Sequence, residues 1–255
     1  MTTITADRAP KTIGALARIT RVVKLHFANP WPILITPLMI LGFIFVVNLI
    51  IWWIIRTVAG PEDAADAIDG FQYSGSTGFL FVYMMVVAIM AMSQTFAFAL
   101  GFGATRRDYY LGTALAFVTL TAFYTALIAV LAAIERATDG WGLGGRMFTP
   151  MYFGDEWYVQ IFAVAVLLLF FFFVGSISGA IYVRFKSFGV TLFWCIVALV
   201  VVGGAALLTL IGGWEAFGKF FADAGFLGGY ATSLVPTVIA AVAGFFVLRR
   251  ATPRS

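Results

Sequence analysis

Between residues 33 and 55 the chain reads ILITPLMILGFIFVVNLIIWWII, without one charged side chain. An α-helix needs about 20 predominantly apolar residues to cross the hydrocarbon core of a bilayer, and this stretch exceeds that length. Five further stretches approach or exceed it. Together the six are Ile33–Ile55, Phe79–Leu100, Leu111–Ile134, Val159–Val183, Phe188–Ile211 and Ala231–Leu248. The pattern predicts an all-α polytopic membrane protein with six transmembrane helices.

The composition excludes a soluble protein. Of the 255 residues, 62% are hydrophobic and only 11% are charged, far from the balance of a globular domain. The longest segments between the apolar stretches hold about two dozen residues, too few for an ATPase, a kinase or an extracellular domain. Cys195 is the only cysteine, so neither a disulfide framework nor a thiolate metal cluster is expected.

Charged residues are sorted by side. Of the 16 Lys and Arg residues, 12 lie in the N-terminal arm, the second and fourth loops and the C-terminal tail, and 4 lie in the other three loops. Acidic residues number 2 on the first set and 10 on the second. Since cytoplasmic segments retain positive charge, we expect a cell-membrane protein with both termini cytoplasmic. Residues 1–31 would be a cytoplasmic arm with an amphipathic helix, 32–248 a transmembrane domain and 249–255 a cytoplasmic tail. The same distribution explains the basic pI without nucleic acid as a partner.

The segment Lys11–Phe27 predicts an amphipathic helix lying in the inner membrane interface. Ile19 and Val23 share an apolar arc with other aliphatic residues, and a basic arc faces the lipid headgroups. The cations expected at this interface are Lys11, Arg18, Arg21 and Lys24. Trp31 and the pair Trp52-Trp53 lie roughly 32 Å apart along a helix, which predicts two interfacial aromatic belts.

The loops on the acidic side have distinct compositions. The first, with Glu62, Asp63, Asp66 and Asp69, is typical of a solvated acidic face. The third, Glu135–Tyr158, is rich in glycine and aromatic residues and is expected to skim the headgroups. In the fifth, Trp214–Phe221 has helical spacing between Gly212-Gly213 and Gly228-Gly229. A short interfacial or re-entrant helix with glycine hinges fits this spacing, and simple aromatic anchoring fits it equally well.

The apolar stretches contain no Asp, Glu, Lys, Arg or His. This absence argues against a proton- or ion-coupled carrier. Ser176 and Ser178 have no base within the stretches, because the only histidine, His26, precedes them. Gly175 and Gly179 instead predict close helix packing. Ser93, Gln94 and Thr95 form a mid-span polar cluster, a candidate lining for a translocation path, although interhelical hydrogen bonding explains such groups as well.

The second loop carries the most informative motif. Residues Leu100–Thr113 read LGFGATRRDYYLGT. The glycines end one span, and Thr105 predicts the cap of a short helix that carries Arg106, Arg107 and Asp108 before the tyrosines re-enter the interface. Taken alone, a tight cytoplasmic turn explains these residues too.

This loop resembles the one between spans two and three in permeases of type-2 ATP-binding-cassette exporters. There a Gly-x-(Ser/Thr)-Arg-(Arg/Lys) stretch precedes an aromatic residue. The basic helix before the first span is similar to that family's connecting helix, and the aromatic fifth loop to its outer re-entrant segment. The resemblance implies six spans, a second permease copy or paralogue, and a separate ATPase that binds ATP and Mg²⁺. That ATPase would dock on Gly103, Ala104, Thr105, Arg106, Arg107, Asp108, Tyr109 and Tyr110.

From these residues we expect the permease subunit of an ATP-driven exporter. The chain itself would be no enzyme and would bind no cofactor or metal. Its charge-free interior favours an apolar or amphipathic cargo, with membrane lipids as further partners. The alternative is a non-transporting scaffold or regulatory subunit in the membrane.

Overall fold

The computed structural model describes residues 14–59, 61–70 and 75–251. Throughout this part of the chain the regular structure is helical, and no strand occurs in it. Lys11 and the end of the C-terminal tail lie outside the described residues. In chain order the α-helices are α1 (Ala15–Phe27), α2 (Thr36–Val58), α3 (Pro61–Gly70), α4 (Gly78–Met90), α5 (Phe96–Gly101), α6 (Arg106–Ala137), α7 (Trp157–Leu210), α8 (Trp214–Ala231) and α9 (Leu234–Arg249).

Single π-helical turns extend two of the apolar helices. One, Trp31–Ile35, leads directly into α2, and the other, Ala91–Thr95, joins α4 to α5. With these turns included, five helical segments of the described chain are long and apolar enough to cross a membrane. They are Trp31–Val58, Gly78–Gly101, Arg106–Ala137, Trp157–Leu210 and Trp214–Arg249. The protein is therefore an all-α membrane protein.

The longest of these segments, α7, contains two of the six stretches expected from the sequence. Its backbone turns back at Lys186, whose φ of 57° and ψ of −157° are not helical. Ile181 and Gly189 would lie about 12 Å apart on a straight helix, yet a Cβ built on Gly189 would approach Cγ2 of Ile181 to 3.2 Å. α7 thus consists of two apolar arms joined by a sharp bend, and each arm exceeds the roughly 20 residues that a crossing requires.

The core lies where α4, α6, α9 and the first arm of α7 meet. Gly175 and Gly179 lie at the contact between α7 and α4. A Cβ on Gly175 would be 2.3 Å from the carbonyl oxygen of Met85, and one on Gly179 would be 2.7 Å from the Cβ of Met92. The missing side chains bring the two helix backbones together, as in other membrane helix pairs.

The structure differs from two expectations, one about Trp52 and one about a glycine hinge in the fifth loop. Trp52 is fully buried, with its indole against Gly145, whereas Trp31 and Trp53 are 59% and 60% exposed. Consecutive helix positions differ by about 100°, so neighbouring tryptophans cannot share a face. Of the three tryptophans predicted at the interfaces, Trp31 and Trp53 remain candidates for the aromatic belts. In α8, the backbone leaves helical geometry at Gly225, not at the predicted hinge Gly228-Gly229.

The loop after α6 does not skim the surface as expected, because Glu135 draws it into the core. Glu135 is 1% exposed. Its carboxylate accepts hydrogen bonds from the backbone N–H groups of Met147, Phe148 and Thr149 at 2.9–3.1 Å, from the Thr149 hydroxyl at 2.6 Å and from the Trp141 indole at 3.1 Å. Met147 and Phe148 are buried as a result.

Replacing Glu135 by Gln should lower the stability of the protein markedly. The amide of the substituted side chain would present an NH₂ group to donors that now find an oxygen, and each buried donor left without an acceptor costs about 1–3 kcal/mol. We expect a clear fall in the thermal unfolding midpoint of the detergent-purified protein. Glu215→Gln is the matched control, since Glu215 is exposed and, within the described part of the chain, its one ion pair is with Lys219 on its own helix. Equal midpoints for the two variants would contradict this role of Glu135.

Candidate functional site

The candidate site is the end of the bundle that carries the two consecutive arginines. α5 ends at Gly101, and Gly103 adopts a left-handed backbone with φ of 79°. The hydroxyl of Thr105 then caps α6 by accepting a hydrogen bond from the N–H of Asp108 at 3.1 Å, as the sequence predicts. The expected short helix is not separate, because α6 runs unbroken from Arg106 to Ala137. We refer to residues 102–107 as the Arg106 loop.

Asp108 is buried and ties α6 to α1. Its Oδ2 lies 2.6 Å from Nε of Arg18, and its side chain is 6% exposed. Asp108 was expected to face a partner, and Arg18 was expected to face lipid headgroups. Asp108 instead binds Arg18 within the protein. Arg18 lies one helical turn before Val22, on the face of α1 that packs against α6, and it is therefore directed toward Asp108.

The buried face of α1 is centred on Val22 rather than on the predicted arc around Ile19 and Val23. Val22 is buried, whereas Leu16 is 76% exposed. Gly112 permits this contact, since a Cβ there would lie 2.6 Å from the Cβ of Val22. Arg21 and Lys24 lie on the exposed side of α1.

Tyr109 and Tyr110 are anchors inside the bundle. Both were expected at the membrane interface or against a partner, but both are buried. The hydroxyl of Tyr109 donates to the carbonyl of Ala91 at 2.5 Å, and that of Tyr110 donates to the carbonyl of Ala241 at 2.5 Å. Their positions on successive faces of α6 direct one side chain toward the π turn and the other toward α9.

The exposed part of the site is the Arg106 loop itself. Nη1 of Arg106 donates to the carbonyl of Arg249 at 3.0 Å, at the end of α9, and Arg107 extends into the surroundings. Phe102, which sequence reasoning missed, is 78% exposed. The sequence did contain an indication of this exposure, because an aromatic residue between two glycines at the end of a span is not held against a neighbouring helix.

A cavity of about 270 Å³ lies between α1, the π turn after α4, α6 and the start of α2. Gln94 and Thr95 line it, together with His26 and Asn29. Ser93, the third member of the predicted polar cluster, does not, and its hydroxyl donates to the carbonyl of Ile89. π turns occur frequently at functional sites.

His26 connects this cavity to α6. Nε2 of His26 lies 2.8 Å from the hydroxyl of Thr113, which itself donates to the carbonyl of Tyr109. Because the Thr113 hydroxyl uses its hydrogen in that bond, its oxygen accepts a hydrogen bond from the N–H at Nε2, which fits the neutral tautomer protonated at Nε2. Desolvation lowers the pKa of His26 to about 4, so the imidazole is uncharged at neutral pH.

Comparison of the chain with protein-family models, curated proteins and solved structures found no match. In the described part of the chain, no group of three or more His, Cys, Asp and Glu side chains is placed to hold a metal ion. The site is an exposed basic loop. The residues of the loop and those directly after it form hydrogen bonds to α1, to the π turn after α4 and to α9.

The stability contributed by His26 should depend on pH. Below its ordinary pKa of about 6.5 the unfolded chain takes up a proton, while the folded chain does so only near pH 4, so acidification favours unfolding. Between pH 7 and pH 4 the wild type should lose up to about 3 kcal/mol more than His26→Gln, which keeps a hydrogen-bond donor but cannot titrate. Thermal unfolding midpoints across this range measure the difference. Parallel profiles for the two proteins would exclude a buried neutral His26.

Proposed function

We propose that this protein is the permease subunit of an ATP-driven exporter of the type-2 ATP-binding-cassette kind. Two such subunits would form the translocation path, and a separate ATPase would bind ATP and Mg²⁺ and dock on the Arg106 loop. The observation that carries the proposal is the combination of an exposed loop, bearing Phe102 and Arg107, with buried bonds that connect it to several helices. A loop that only reversed the chain would not need these connections.

The proposed topology has six crossings with both termini cytoplasmic, in the cell membrane. The bend at Lys186 supports it by dividing α7 into two arms of sufficient length. Arg184 and Lys186 at the bend would then share the cytoplasmic side with the Arg106 loop, in agreement with the charge distribution. α8, which follows a left-handed Gly212 and is interrupted at Gly225, would be the re-entrant segment on the outer side.

Coupling would proceed through the hydrogen bonds made by Arg106, Asp108 and Tyr109. A partner that moves the Arg106 loop would displace α1 through Arg18 and Asp108, and α9 through the carbonyl of Arg249. It would also displace the π turn through the bond from Tyr109 to Ala91. Because Gln94 and Thr95 lie in that turn, the cavity would change shape when the loop moves.

The cargo would be apolar or amphipathic. The lining of the cavity is mostly aliphatic, with the amides of Asn29 and Gln94 and the neutral His26 as its main polar groups. Among the described residues, no Asp, Glu, Lys or Arg lines it, and such a lining suits neither a metal ion nor a strongly charged substrate. At about 270 Å³ it lies at the lower limit of ligand sites, so a larger path would require the second permease.

Cysteine accessibility tests the proposed topology. In a Cys195→Ser background, Arg184→Cys should be protected from a membrane-impermeant maleimide in intact cells, whereas Glu156→Cys and Ala222→Cys should react. All three positions are exposed, so burial within the protein does not explain protection. Reaction at all three after permeabilisation is the control. Labelling of Arg184→Cys in sealed cells would overturn the six-crossing arrangement.

The docking proposal predicts loss of the ATPase when the loop surface is removed. The tagged protein, purified in mild detergent from its native membrane, should carry ATP hydrolysis with it. Phe102→Ala combined with Arg107→Ala should reduce that activity tenfold or more, since truncating one side of a buried charge contact costs about 2–5 kcal/mol. Arg106 is left intact because it holds the end of α9.

Lys24→Ala is the matched control for this experiment, since Lys24 is an exposed cation of α1 outside the loop. It should retain full activity. Full activity in the double variant would exclude the Arg106 loop as the docking site. Purification of the wild type without ATP hydrolysis would favour the alternative, a non-transporting scaffold or regulatory subunit.

A further inference from the structure

A second cavity, of about 460 Å³, lies at the opposite end of α6 from the Arg106 loop. The 32 residues of α6 place the two ends roughly 48 Å apart. Three arginines line this cavity, Arg56 from the end of α2, Arg136 from the end of α6 and Arg146 from the following loop. The first, third and fifth loops together contain only 4 Lys and Arg residues. Three of the few cations on this side of the protein therefore converge on one site.

The arginines are positioned by their surroundings. Nη2 of Arg136 donates to Oε1 of Gln160 at 2.6 Å, and Gln160 is itself buried. Nη2 of Arg56 lies over the backbone of Gly144, where a Cβ would approach it to 3.1 Å. All three arginines are exposed to the surroundings.

The wall of the cavity is a strained loop. Asp139 and Trp141 have φ of 48° and 63°, a left-handed backbone that costs a residue with a side chain about 1–3 kcal/mol. Gly140 faces Gly145 so closely that a Cβ would lie 2.4 Å from its backbone nitrogen. The hydrogen bonds to buried Glu135 hold the loop in this form. Strain of this kind persists where the surroundings enforce it, and it concentrates at binding sites.

The cavity has an anionic side as well. Asp139 and Asp155 line it together with the arginines, and neither lies within ion-pair distance of an arginine in the described residues. The carboxylate of Glu135 also borders it, but that group is occupied by the loop donors. Separate cationic and anionic groups around one polar cavity match a ligand that carries both charges.

We propose that this cavity binds a phosphate group that carries a primary amine, the chemistry of a phosphoethanolamine headgroup. The guanidinium groups of Arg56 and Arg146 would bind the phosphate oxygens, since the planar fork of arginine matches them. The carboxylates of Asp139 and Asp155 would accept hydrogen bonds from the ammonium group. Exposed Trp157 and Tyr158 follow directly after the cavity, and such residues mark the headgroup level of a bilayer. The site does not depend on the exporter proposal.

Native mass spectrometry of the delipidated full-length protein tests this proposal with defined lipids. The wild type should retain phosphatidylethanolamine at least tenfold more tightly than phosphatidylcholine, whose quaternary ammonium donates no hydrogen bond, and than phosphatidylglycerol, which has no amine. Arg56→Gln and Arg146→Gln should each weaken retention about tenfold. Lys219→Gln is the matched control, because it removes the remaining cation of this side, which lies on α8 and pairs with Glu215. It should bind as the wild type does.

Competition with a soluble compound shows whether the phosphoethanolamine group belongs to a lipid or to a soluble molecule. If the ligand is a lipid, O-phosphoethanolamine should compete weakly and raise the thermal unfolding midpoint little. If it competes as well as the lipid, the headgroup chemistry holds and the ligand is a soluble molecule. Asp155→Asn should abolish the preference for ethanolamine over choline without lowering the unfolding midpoint of the lipid-free protein. Equal retention of all three lipids, unchanged retention in both arginine variants, or equal competition by inorganic phosphate would overturn the proposal.

Discussion

The close contact between α4 and the first arm of α7 is the constraint on which the remaining packing depends. Within a bilayer, burial of apolar surface does not draw helices together, because lipid is as apolar as the side chains. Dispersion contacts and hydrogen bonds must do so, and both require short distances. Gly175 and Gly179 provide those distances. α6 packs against α7, and α9 packs against both α7 and α6.

Polar contacts are concentrated at the two ends of α6. At one end Asp108, Tyr109 and Tyr110 bind α1, the π turn and α9, and at the other Glu135 organises the following loop. Carboxylates this deeply buried occur only with their hydrogen bonds satisfied. The middle of the helix makes mainly apolar contacts, apart from the hydroxyl of Tyr124, which donates to the carbonyl of Ile33 at 2.6 Å. The structure therefore fixes α6 at its ends, where the two candidate binding regions lie.

Much of the fold was accessible from the sequence, because hydropathy alone marks long apolar helices and because Thr105 is a strong helix cap. Contacts between distant segments were not. The sequence could not show that Glu135 finds its donors in a loop 12–14 residues later, nor that Arg18 reaches Asp108. The predicted orientation of α1 was wrong because the sequence analysis placed its apolar arc against lipid, whereas part of the helix packs on α6. The convergence of Arg56, Arg136 and Arg146 required three separate chain segments to be placed in space.

The π turn at Ala91–Thr95 changes which residues of its helix face the core. The buried residues Leu80, Met84, Ala88, Met92 and Phe96 recur at intervals of four. An α-helix repeats every 3.6 residues, so such a stripe drifts by about 40° at each step and would rotate away from its neighbours. The π turn contains one extra residue, which rotates the following residues back by about 100° and so returns Phe96 to the core. Gln94 and Thr95 line the cavity at this turn, so its polar lining follows from the spacing of apolar residues that do not line it themselves.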